Sequence, residues 1–218
     1  MPRSFRIVTL CAFVVTALLQ VGASAAQEVN PPLYKDPNAP LEHRVNDLLA
    51  CMTLEEKIAQ LGGDQSAMAT PDNERLGIPG FKMADGPNGV RHGKSTCWPC
   101  CLAMGATWDP TLLERLGVAL GREFRGKGRY VALGPCINII RDPRGGRSFE
   151  TMGEDPYLLS CMAVAYVRGM QSQRVIATPK HFACNNQENG RGSNDVQVDE
   201  RTLREFYLPH FRAVVQEG

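Results

Sequence analysis

The stretch 176–191, IATPKHFACNNQENGR, decides how the chain is read. Val175-Ile176-Ala177 is a short apolar run and predicts a buried strand. It stops at Thr178-Pro179, and two ionisable side chains, Lys180 and His181, follow at once. Parallel strands that deliver charge at their C-terminal ends build active sites in open α/β sheets and barrels. The run Asn185-Asn186-Gln187-Glu188-Asn189 is rich in amides that donate and accept hydrogen bonds. That chemistry suits a ligand covered in hydroxyls. A salt-bridged lysine and a capping histidine at a strand end would give the same residues, so this stretch alone does not decide between the two.

Two earlier segments repeat the pattern. Ile78 to Ala84 reads as a strand and ends in Asp85-Gly86-Pro87-Asn88-Gly89-Val90-Arg91. Gly86 and Gly89 permit a tight turn or a close approach to a ligand, and Asp85 is also a common turn residue. Tyr130 to Ile139 reads as a second strand. A loop dense in charge follows it, from Arg141 through Arg147 to Glu150. Such a loop is either solvated surface or a binding loop on a rigid scaffold.

Helical signals separate the strands. Leu41, Val45, Leu48, Leu49 and Met52 share one helical face. Thr53-Leu54-Glu55-Glu56 is a capping box that opens a second helix, with Ile58 and Leu61 expected inward and Gly62-Gly63 as its stop. Asp109-Pro110 and Asp155-Pro156 each place an N-cap before a first-turn proline. Leu112, Leu113, Leu116 and Leu120 form the apolar face after the first. Leu158, Leu159, Met162, Tyr166 and Met170 form it after the second. Leu203, Phe206, Phe211, Val214 and Val215 mark a last helical stretch that Pro209 breaks or kinks. Strands alternating with helices predict a parallel sheet, and parallel strands bring Asp85, Arg147, Lys180 and His181 to one rim.

Composition bounds the function. The chain has 218 residues and a net charge of +1, so nothing points to nucleic acid or an anionic membrane surface. The four histidines are scattered, with no HExxH and no His-rich tract, so no metal and no cofactor is expected. Gly89 to Ser95 imitates a phosphate loop, but its spacing is one residue short. Arg3 and Arg6, the apolar run Ile7 to Leu19 and the small residues Ala23-Ser24-Ala25-Ala26 read as a secretory signal peptide over residues 1–26. The expected location is therefore secreted or periplasmic, with no membrane partner after cleavage. Of eight cysteines, Cys11 falls in that leader. Cys97 is placed to pair locally with Cys100 or Cys101. Buried free thiols are expected at several of the other positions.

Five motifs in order resemble the N-terminal domain of the family 3 glycoside hydrolases of β-glucosidase type. They are KMADGPNGVR at Lys82–Arg91, ATWDP at Ala106–Pro110, LGPCINIIRDPRGGRSFETMGEDPYL from Leu133, KHFACNNQE at Lys180–Glu188 and ERTLREFYLPHF at Glu200–Phe211. The form KHFACNNQE is similar to the glucosidase members and unlike the KHFPG form of bacterial β-N-acetylhexosaminidases. The resemblance implies an α/β fold, here the N-terminal portion of a (β/α)8 TIM-type barrel over residues 27–218. It implies retaining hydrolysis of terminal β-D-glucosyl residues, with a β-glucoside or oligosaccharide as substrate. By position it implies that Asp85, Arg91, Arg147, Lys180 and His181 bind the sugar, with Glu150 behind them.

Retention needs two carboxyl groups about 5–5.5 Å apart. The resemblance places the nucleophile in a serine-aspartate-tryptophan-like motif well beyond the Lys-His pair, and no such motif occurs in these residues. A barrel of this type typically takes about 250 residues. The expectation is a piece of a β-glucosidase that carries sugar-binding residues and no catalytic carboxyl pair. The alternative is a non-catalytic sugar-binding protein derived from the same family. The leader makes its own prediction: exported protein should begin after Ala25 or Ala26. N-terminal sequencing checks this, and an intact Met1 on exported material would refute it.

Overall fold

The computed structural model describes residues 31–63, 66 and 68–218. The signal-peptide reading of residues 1–26 lies outside them. The chain divides into two compact units, Met1–Met52 and Thr53–Gly218.

In the first unit a 3-10 turn, Leu33–Lys35, precedes helix α1 (Leu41–Cys51). The Tyr34 amide donates to Asp47 Oδ2 at 3.0 Å, and Arg44 Nε donates to the Tyr34 carbonyl at 3.2 Å. The helix forms where the periodicity predicts it, yet none of its residues is buried.

The second unit opens with helix α2 (Leu54–Leu61) and the predicted capping box. The Glu56 amide donates to Thr53 Oγ1 at 3.2 Å, and the Thr53 amide donates to Glu56 Oε2 at 2.8 Å. Glu56 also takes a bidentate pair from Arg75, and its carboxyl is pulled down to about 2, first by that arginine and then by the Thr53 amide. The inward placement of Ile58 and Leu61 is overturned: they are 60% and 90% exposed. The cap fixes where the helix starts, but periodicity does not say whether a neighbour covers its apolar face.

Three parallel strands follow, β1 (Met83–Asp85), β2 (Val131–Leu133) and β3 (Ile176–Ala177), in the order β1-β2-β3. Between them lie α3 (Cys101–Gly105), α4 (Pro110–Gly126) and α5 (Pro156–Ser172). After β3 come α6 (Glu200–Thr202), a π-helical turn at Leu203–Tyr207, and α7 (Pro209–Glu217). Pro209 stands at the first position of α7 and separates it from the turn, as its missing N–H requires. The architecture is the parallel α/β arrangement that the alternation predicts. The short helix α3, five residues long, carries no periodic signal in the sequence.

The strands are shorter than the apolar runs. Ile78 and Lys82 make only isolated antiparallel bridges, to Asn73 and Ala69. Beyond β2, Pro135 has no N–H to give a ladder, and Cys136 makes single parallel bridges to Thr151 and Lys180. The expected strands 78–84 and 130–139 therefore shrink to three residues each.

The core lies between sheet and helices. Leu113, Leu120 and Phe124 of α4 meet Leu159, Met162, Tyr166 and Met170 of α5, all fully buried. The side chains of Asp109 and Asp155 cap α4 and α5, accepting from the Leu112 and Leu158 amides at 3.0 and 2.6 Å. The two helices approach closely because each carries a glycine at the crossing. A Cβ on Gly117 would lie 2.4 Å from the Tyr166 carbonyl, and one on Gly169 would lie 2.1 Å from that of Glu114. Leu112 and Val215, expected on apolar faces, are 39% and 86% exposed. No helix among the described residues is long and apolar enough to cross a membrane.

One buried group makes stability sensitive to acid. His210 is 1% exposed, and neither ring nitrogen has a partner. Burial pushes its pKa from 6.5 down to about 4. The unfolded chain therefore takes up a proton between these values while the folded chain does not. The contribution is complete above pH 6.5 and is lost as pH falls towards 4. It amounts to about 3 kcal/mol across the window. Urea unfolding at pH 7 and pH 4.5 should show this loss, and His210→Phe should remove that share of the acid dependence. An unchanged slope in the variant would refute it.

Candidate functional site

The register places the three strand ends side by side. Asp85 is opposite Leu133, and Ala132 is opposite Ala177. The chain after β3 stays against the chain after β2. The Thr178 amide donates to the carbonyls of Ala132 and Gly134, and the Ile137 amide donates to Lys180 at 2.7 Å. The following turn contains two cis peptide bonds, Lys180–His181 and Phe182–Ala183.

At this rim an open cleft of about 940 Å³ is lined by Asp85, Arg91, Arg147, Lys180 and His181. All five side chains singled out in the sequence therefore face one space. Lys180 Nζ donates to Asp85 Oδ1 at 2.7 Å, a contact between residues 95 apart in sequence. Asp85 thus has a side-chain partner, and Lys180 is salt-bridged, as the plainer reading of the strand end also allows. Arg91 lines the mouth, and its amide donates to the Asp85 carbonyl at 2.9 Å. The loop between them is pinned where Asn88 Oδ1 accepts from the Cys101 amide at 2.8 Å.

Arg147 Nε donates to Glu150, which is 8% exposed. That hydrogen bond, first among the causes, raises the arginine's pKa above its ordinary value. Glu188 stands between two arginines, with Arg147 at 3.8 Å and Arg191 at 3.6 Å, and accepts from Asn185 Nδ2 at 3.0 Å. His181 is pushed down from 6.5 to about 4, first by burial and then by the positive charges of Arg147, Lys180 and Arg191. It is a neutral imidazole at pH 7.

Sequence reasoning missed four contributors. Phe149, Glu188 and Arg191 line the cleft, and Asn138 holds His181. Glu188 and Arg191 stand inside the stretch 176–191, and their charge is the available signal. Phe149 lies between Ser148 and Glu150 in a 3-10 turn, and nothing in its own neighbourhood marks it as exposed to the cleft. Cys97, Cys100 and Cys101 are free thiols, so the local pairing of Cys97 with Cys100 or Cys101 is not present. Cys101 and Cys136 are buried thiols. Among the described residues no group of three or more histidines, cysteines and carboxylates is arranged to hold a metal ion.

Parallel strands carry a carboxylate, two arginines, a lysine and a neutral imidazole to one rim, the arrangement of an α/β barrel domain. The chain belongs to glycosyl hydrolase family 3, whose N-terminal domain matches residues 41–218. It is 49% identical over 181 residues to a beta-glucosidase from Rhizobium radiobacter, covering 80% of this chain and 22% of that one. It is 43% identical over 210 residues to a beta-glucosidase from Bacteroides ovatus, covering 90% and 28%. Among solved structures, beta-glucosidase from Kluyveromyces marxianus in complex with glucose superposes with a TM-score of 0.76 at 41% identity, covering 79% of this chain and 21% of that one. Beta-glucosidase 3B from Thermotoga neapolitana in complex with alpha-D-glucose gives 0.73 at 39%, covering 80% and 28%. This chain thus spans about a quarter of the length of these relatives.

The Arg147–Glu150 pair makes a stability prediction. Breaking a buried pair leaves the other charge without compensation and costs up to about 3–5 kcal/mol. The Arg147 side chain keeps 24% exposure and has Glu188 nearby, which reduces the penalty. Glu150→Gln should lower unfolding stability by about 2 kcal/mol in a urea titration. A change below about 0.5 kcal/mol, the size of an ordinary surface substitution, would mean that the pair does not hold the loop.

Proposed function

We propose that this chain supplies the sugar-binding floor of a β-glucosidase that acts on terminal non-reducing β-D-glucosyl residues with retention. The observation that carries the reading is the convergence of Asp85, Arg91, Arg147, Lys180 and His181 on one cleft at the C-terminal rim of parallel strands. Asp85 accepts from two sugar hydroxyls, and Lys180 and Arg147 donate to neighbouring ones. Each carboxylate that lines the cleft is held by a cation: Asp85 by Lys180, Glu150 by Arg147, and Glu188 by Arg147 and Arg191. These residues bind and orient, and none is given a bond-breaking role. Hydrogen bonds to the 2-hydroxyl that strengthen towards an oxocarbenium-like transition state supply part of the rate in this reaction class. The glucose complexes of relatives support a glycoside ligand. The leader read at residues 1–26 supports action outside the cytoplasm.

The test is Asp85→Ala in the enzyme that carries this domain. Loss of a carboxylate that pairs with substrate hydroxyls should lower kcat/KM on an aryl β-glucoside by about 30- to 1000-fold, or 2–4 kcal/mol. Unfolding must stay cooperative in the variant. Wild-type rates would end the assignment of Asp85 to the sugar.

A further inference from the structure

The imidazole of His181 shows the cleft either a donor or an acceptor, depending on which nitrogen holds the proton. Asn138, on the extended stretch after β2, decides which. Its amide is oriented by two backbone groups whose polarity is not in question. Asn138 Oδ1 accepts from the His181 N–H at 2.6 Å, and Nδ2 donates to the Asn185 carbonyl at 2.7 Å. A flipped amide would set donor against donor and acceptor against acceptor at once. The same Nδ2 lies 3.3 Å from His181 Nδ1, so that nitrogen faces an N–H and must accept.

A second side chain agrees. Cys136 Sγ is 3.8 Å from the same Nδ1. The thiol is fully buried, and burial pushes its pKa up to about 11, so it stays protonated and its S–H can donate weakly to a bare Nδ1. The Asn138 amide thus fixes the role of Nδ1, and the thiol is compatible with it. Burial first, and then the charges of Arg147, Lys180 and Arg191 against Glu150, disfavour a second proton on the ring, with Asp85 and Glu188 in the same cleft paired to those cations. Nε2 has no partner among the described hydrogen bonds and is not among the buried unpartnered atoms.

We propose that Asn138 is a positioning residue that locks His181 as the neutral Nε2–H tautomer, so that the cleft meets an uncharged N–H donor. Its use, donation to a sugar hydroxyl oxygen, rests on the function proposed above. The lock itself does not. A neutral donor next to Lys180 and Arg147 adds direction without adding to their mutual repulsion. The same amide ties the stretch after β2 to the loop after β3, so the donor and the cleft wall are set by one side chain.

The test reads the ring directly. Long-range proton–nitrogen correlation spectra of the ¹⁵N-labelled chain at pH 6.5 should show His181 protonated at Nε2, with Nδ1 as the bare nitrogen. An Nδ1–H ring in the wild type would overturn the proposal without any variant. Asn138→Asp keeps the acceptor for the His181 amide and replaces the donor facing Nδ1 by an acceptor. It should move the proton to Nδ1 or charge the ring, and raise the titration midpoint by at least about one pH unit, a tenfold change in proton affinity. Asn138→Ala removes both contacts and should give mixed tautomers. A dispersed, folded spectrum with the Nε2–H tautomer unchanged in both variants would refute the lock. Titration with methyl β-D-glucoside separates the two readings. A ring that shows the stated tautomer and ignores the sugar supports the lock and counts against the sugar site.

Discussion

Lys180 reaches across the mouth of the sheet to Asp85, and the site depends on that contact. The two residues follow or end the outer strands of the order β1-β2-β3, so the pair spans the central strand. Two strand spacings are about 10 Å, and only a long side chain from one edge meets a carboxylate from the other. The Lys180 side chain is 14% exposed and that of Asp85 31%. Desolvation at that depth makes either charge alone costly, so each holds the other in place. The contact also joins two chain segments that sequence separates by 95 residues. A crossover fold makes such a join possible because its strand ends, and not its neighbours in sequence, are adjacent.

The cleft is built of such pairs, and this suits a neutral ligand with many hydroxyls. A carboxylate has about four lone-pair sites and an ammonium has three donors. One mutual contact leaves most of that capacity free. The charges nearly balance locally, so a polyol needs to displace only water. A phosphate or carboxylate ligand would meet Glu150 and Glu188 already seated on the arginines. The charge pattern thus favours directional hydrogen bonds over net attraction, in keeping with a chain of net charge +1.

Local chemistry made part of this structure legible in the sequence. The caps Thr53, Asp109 and Asp155 form the bonds that their positions predict, because a cap needs only its own first turn. The strand ends at Asp85 and after Ala177 were legible because an apolar run met an abrupt charge. What failed depends on distant partners. Ile58 and Leu61 have the helical spacing of a core face and stand exposed. The runs 78–84 and 130–139 look like full strands, yet pairing lasts only as far as a neighbour offers matching backbone groups. In the site, charge drew attention to Arg147, Lys180 and His181. Asn138 is an uncharged residue in an apolar run, and its importance lies in contacts 43 and 47 residues away.

That asymmetry bears on how such a site stays precise. Lys180 and Arg147 are long, and their charges act over several ångströms whatever their rotamer. Asp85 and His181 are short, and their usefulness depends on where the backbone sets them. Asp85 is fixed by strand pairing, since it is itself the last residue of β1. His181 lies beyond the end of β3 and has no ladder to hold it. Its backbone N–H is instead taken by Asn138 Oδ1, and its ring is faced by Asn138 Nδ2 and Cys136 Sγ. The side chain of one extended segment thus does for His181 what the sheet does for Asp85. Regular structure and a single half-buried amide are two solutions to one problem, the placement of a short polar group within hydrogen-bond distance of a ligand.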